Sequence, residues 1–138
     1  MLISTVNAQN VKFKKGKVLI NEKEVFSYRE GNTSRGETIS IYNITTNEEV
    51  IFIKADDCGT RAISDNNVDW EKDDYITYNF LKEKVKVEMH GYTNFKGNIA
   101  FLFQQGVFDL KGILNPEKIA LFKEKYDEKI SEKTTIIK

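Results

Sequence analysis

A side chain able to act as a general base near neutral pH has to be His90, the one histidine in the chain. The one cysteine, Cys58, is its natural nucleophilic partner, and Asp56 or Asp57 would orient the imidazole. The chemistry would be that of a small hydrolase or transferase. The local sequence gives it no support, because Cys58, Gly59 and Thr60 form no nucleophile motif. A structural zinc site wants about four N or S ligands, more than one histidine and one cysteine supply. The plainer reading is a thiol at a turn and a histidine at a strand end. No catalytic residue, metal or cofactor is therefore assigned.

The acidic stretch 56–74 invites a calcium test. Asp65, Asn67 and Asp69 occupy positions 1, 3 and 5 of an EF-hand-like loop. Position 6 is Trp70, where the bend needs glycine, and position 12 is Ile76, where a bidentate Glu is needed. The match fails at its most discriminating points. A looser site from Asp65, Asp69 and Asp73 stands as the alternative to a solvated loop. Trp70 either plugs the core or offers an exposed contact. The neighbouring carboxylates Asp56 and Asp57, like Asp73 and Asp74, would point to opposite faces of a strand, so neither pair forms a catalytic dyad. Gly97, Gly106 and Gly112 are too scattered to cradle a phosphate.

Charge narrows the partners. Lys and Arg total 21, as do Asp and Glu, so the formal net charge is zero. That removes the long-range attraction behind most nucleic-acid binding, and no nucleic-acid partner is expected. Lys12, Lys14, Lys15 and Lys17 read as the solvated face and turn of a hairpin. No run of residues approaches the roughly 18 apolar positions of a membrane-spanning helix.

The elements that must position these residues change character along the chain. The length of 138 residues suits one domain, residues 1–138, with nine Phe and six Tyr to fill its core. Alternating apolar residues predict strands over 11–14, 18–20, 24–28, 38–44 and 49–54. Ile39 and Ile41 should share one face. Residues 30–36 read as a polar loop and 56–74 as a longer one, with a short strand at 61–63. Segments 75–81 and 85–89 should pair as a hairpin across Lys82, Glu83 and Lys84.

The last third shifts to a helical period. Phe95, Ile99, Leu102 and Phe103 fall at i, i+4, i+7 and i+8, with Thr93 or Asn94 as cap and Gly106 at C′. A strand over 98–104 is the rival reading, favoured by Phe101. Asn115, Pro116 and Glu117 open a second helix, expected to run from 116 to about 129. Residues 131–138 either fray or add an edge strand. The predicted fold is α+β: an antiparallel meander of about six or seven strands, with two C-terminal helices packed on one face.

Residues 1–8 admit two readings. Val6 and Ala8 fit the −3 and −1 positions of a signal cleavage site, although Leu2, Ile3 and Val6 alone make no apolar h-region. They are then a signal-peptide remnant; otherwise they form a native first strand. The Val6 to Gln9 start, the hairpin from Lys17 to Tyr28 and the ending from Gly106 to Tyr126 together resemble a loose group of small exported bacterial domains of unknown function. The resemblance implies export to the periplasm or medium and supports both helices. It implies no catalytic residues.

The expected function is a non-enzymatic exported domain that binds a protein or envelope partner through loops carried on a rigid sheet. The candidate binding residues are Arg29, Asn32 and Arg35 in one loop and Asp65, Asp69, Trp70 and Asp73 in the other. Two alternatives stand beside it. One is a cytosolic immunity or inhibitor protein, with an acidic loop meeting a basic toxin or enzyme face. The other is a small hydrolase using His90.

Overall fold

The computed structural model describes residues 10–56, 74–90 and 94–131. Seven strands follow one another in space as in sequence: β1 (Val11–Lys14), β2 (Lys17–Ile20), β3 (Lys23–Thr33), β4 (Gly36–Asn43), β5 (Glu49–Asp56), β6 (Tyr75–Phe80) and β7 (Val85–His90). Every neighbouring pair is antiparallel, as the short connections require everywhere but between β5 and β6, which pair antiparallel across the long segment 57–74. After β7 the described residues form two longer helices, α1 (Phe95–Gln104) and α2 (Pro116–Tyr126), and Ile130 and Ser131 are helical again. Among the described residues the sheet is open, with β1 and β7 at its edges.

Period-two alternation decides which face is buried. Ile39 and Ile41 of β4 stand opposite Ile53 and Ile51 of β5, which in turn face Tyr78 and Phe80 of β6. All six are at most 2% exposed. Bulges adjust the outer strands. Val18 and Leu19 pair with Phe26 and Glu24, leaving Val25 as the extra residue, and both Val25 and Phe26 end up buried.

The helices bury their apolar stripes on that same face. Asn94 caps α1 by accepting a hydrogen bond from Gly97 N. Phe95, Ile99 and Leu102 turn to the sheet. Phe101 does not demand a strand, because its ring packs on Phe122 and Tyr126 of α2, at 5.6 and 5.2 Å between centroids. Asn115 caps α2 by accepting from Glu117 N and Lys118 N. Ile119 and Phe122 are its buried residues, and Phe122 packs edge-on against Tyr78 and Phe80. α1 lies against β1 and α2 against β7, so the pair reaches both sheet edges.

Two boundaries differ from expectation. Residues 30–36 are not a loop: β3 runs on to Thr33 and pairs with β4 as far as Gly36, leaving Ser34 and Arg35 as the turn. Backbone pairing propagates from the buried isoleucines past residues with low strand propensity. The second helix stops at Tyr126, short of 129, because Asp127 leaves the helical region at ψ 118°. The chain there turns to the exposed edge of β7. Lys123 Nζ donates to Lys86 O at 2.8 Å, and Glu88 N donates to Asp127 Oδ1 at 3.0 Å. Glu128 N donates to Glu88 O at 2.8 Å, and His90 N to Glu128 Oε2 at 3.2 Å. An edge strand with open backbone groups is an aggregation template, and this segment covers it.

Candidate functional site

The three candidate binding residues at 29–35 do not converge. Alternation along β3 sends Arg29 to the outer face, where its guanidinium lies 5.9 Å from the Tyr42 ring centroid. Asn32, three positions on, faces the other way, opposite Glu37. Arg35 sits in the turn, with Nε 3.5 Å from Asp56 Oδ1. Asp65, Asp69, Trp70 and Asp73 lie outside the described residues, as do Asp57, Cys58 and the expected strand at 61–63.

The outer face carries a polar row. Asp56, Tyr75 and His90 stand side by side on β5, β6 and β7. Asp56 is 4% exposed. Burial, the charges of Asp56 and Glu88, and a hydrogen bond to Asp56 push the Tyr75 phenol up to about 12. His90 is two strands from Asp56, about 10 Å by strand spacing, and its Nδ1 instead pairs with Glu128 Oε1. Glu88, 3% exposed, accepts from both N and Oγ of Ser131. These contacts tie Glu128 and Ser131 to β7.

Two concavities sit at opposite ends of the inner face. At the end where β3 turns into β4, adjoining clefts of about 280 and 260 Å³ share Glu30, Glu37 and Phe95, with Asn32, Asn94 and Lys96 on their walls. Glu30 and Glu37 are diagonal neighbours on one face, about 7–8 Å apart at Cα. Among the described residues, no group of three or more His, Cys, Asp or Glu is placed to hold a metal ion.

The larger concavity, about 740 Å³, opens at the other end, between β3 and the connection from α1 to α2. Its wall is apolar: Phe103, Phe108, Leu110, Ile113 and Leu114, with Lys23 and Lys111 among the polar lining residues. The connection folds on itself as a tight loop. Asp109 N donates to Ile113 O at 3.1 Å, and Asp109 Oδ1 accepts from Lys111 N and Ile113 N at 2.9 and 3.0 Å. Phe108 bridges to Leu114 and packs edge-on against Phe26, 4.9 Å between centroids, which anchors the loop to β3. Gly112 at φ +77° lets the loop touch the β3 backbone, since a Cβ there would stand 2.7 Å from Val25 O.

The turns β2–β3, β4–β5 and β6–β7 share this end of the sheet. Four large hydrophobic residues are exposed among the described residues, and three of them, Ile44, Leu81 and Ile113, belong to connections here. Ile113, on the cleft wall, is 58% exposed. In the sequence, residues 106–115 supply a helix stop at Gly106 and a helix start at Asn115, with no binding residue expected between them. The signal was present: Phe108, Leu110, Ile113 and Leu114 crowd a segment with neither helical nor strand period. No protein family, curated protein or solved structure matches the chain. The helices of the described residues are too short or too polar to cross a membrane.

Proposed function

We propose that the chain is a non-enzymatic exported domain that binds an envelope component through the loop joining its two helices. The observation that supports this is the 740 Å³ cleft, whose size and apolar wall suit a ligand pocket. Its loop is held by backbone and aromatic contacts, so the site is largely formed before binding and loses little entropy on filling. His90 lines neither concavity and is committed to Glu128, which makes the hydrolase reading weaker.

The test is retention of labelled protein on envelope fractions from the source cells. Ile113→Asp places a charge on the exposed cleft wall and is expected to cut retention at least about tenfold, since a buried unpaired charge costs more than 1.4 kcal/mol. Thermal unfolding should stay close to wild type, because Ile113 is mostly exposed. Unchanged retention would place binding elsewhere. The export half of the proposal expects a mature chain beginning at Gln9 outside the cytoplasm. A chain beginning at Met1 in the cytosol would favour the immunity-protein alternative.

A further inference from the structure

We infer that the cleft takes a single-chain amphiphile with an anionic head, the chemistry of a long-chain carboxylate. This rests on reading the cleft as the binding site. The apolar chain would lie along Phe103, Phe108, Ile113 and Leu114. The head is assigned by what the polar lining leaves unsatisfied. Asp109 Oδ1 already accepts two N–H groups of its own loop. The carboxamide oxygen of Asn115 is spent on the first turn of α2, accepting from Glu117 N and Lys118 N.

Pro116 lines the cleft and has no N–H to offer. What remains are the Asp109 carboxylate charge, the Asn115 Nδ2 donor, and Lys23 and Lys111, exposed ammonium groups with no ion-pair partner among the described residues, so the lining carries a net positive charge. An apolar trough bordered by unpaired cations complements a tail with a negative end. It opposes a cationic amphiphile and gains nothing extra from a neutral one.

Titration calorimetry of the full chain tests this, using decanoate, decanol and decyltrimethylammonium at low salt and below their micelle concentrations. Decanoate should bind at least about fivefold tighter than decanol, and the cation weakest. Octanoate should bind roughly fifteenfold weaker than decanoate, about fourfold per methylene removed from water-free contact. The double change Lys23→Gln with Lys111→Gln should bring decanoate close to decanol and leave decanol unchanged. Both lysines are exposed, so the fold should survive. Ile113→Asp should weaken decanoate and decanol.

Equal affinity for decanoate and decanol, indifferent to the lysine changes, would overturn the anionic head and leave the apolar cleft standing. No binding of any probe, or binding indifferent to Ile113→Asp, would overturn the cleft as a site and the proposed function with it.

Discussion

Gly112→Ala should damage the loop that builds the cleft, and Gly16→Ala supplies the matched control. Both glycines have positive φ, +77° and +81°. Placing an L-residue there costs about 1–2 kcal/mol at either site. At Gly16 a new Cβ meets nothing within 4 Å, so that conformational cost is the whole effect. At Gly112 the Cβ would stand 2.7 Å from Val25 O and 3.3 Å from the Phe26 ring. Ordinary contact begins near 3.5 Å, and Val25, the extra residue of the β2–β3 bulge, is buried between its neighbours at 3% exposure. Overpacking of this kind adds about 1–3 kcal/mol.

Gly112→Ala should therefore cost about 2–5 kcal/mol, against about 1–2 for Gly16→Ala, within a total stability of roughly 5–15. Urea unfolding at constant m measures both. Decanoate binding should fall with Gly112→Ala and stay unchanged with Gly16→Ala, because only the first shifts the cleft wall. Destabilisations equal to within about 0.5 kcal/mol would refute the close approach of the loop to β3.

Three further outcomes follow from polar groups, two half-buried and one in the core. Tyr75 keeps its proton in the folded state up to about pH 12, while the unfolded phenol releases it near 10, so stability should fall between those values. Tyr75→Phe should flatten that slope in thermal unfolding against pH. Burial raises the Asp127 carboxyl, but hydrogen bonds from Lys123, Glu88 N and Lys129 N outweigh it and hold the group below its usual range. Its contribution should be complete above about pH 4 and disappear as pH falls through the lowered folded value, and Asp127→Asn should remove that acid slope. In the core, Tyr78 Oη donates to Asn98 Oδ1 at 3.0 Å, and Asn98 Nδ2 is buried without a partner. Tyr78→Phe should cost about 1–3 kcal/mol by stranding the carboxamide, and adding Asn98→Leu should recover most of it in a double-mutant cycle by urea unfolding.

Much of the architecture is written locally. Alternation marked β1, β4, β5, β6 and β7 to within a residue or two, because one sheet face is buried and the side-chain period is two. Asn94, Asn115 and Pro116 started their helices where their chemistry places them, since caps act within one turn. The extension of β3 to Thr33 was invisible, because residues with weak strand propensity pair there only through the partner strand. The end of α2 was misjudged by three residues for a similar reason: Asp127 and Glu128 break the helix to satisfy the β7 edge, a contact across about 40 positions of chain.

The site divides the same way. Arg29, Asn32 and Arg35 lie within seven residues of one another, yet strand alternation and a turn send them to different surfaces. The apolar residues of 106–116 were visible in the sequence as types, and their lack of period already barred them from a helix or strand. That they line a cleft depends on Gly112 meeting the Val25 carbonyl and Phe108 meeting Phe26. Local sequence determined which segments become strand, helix or loop, because hydrogen bonding and caps act over a few residues. Only the tertiary structure decided which surfaces those segments share, because register, bulges and loop docking are settled by packing between residues far apart in the chain.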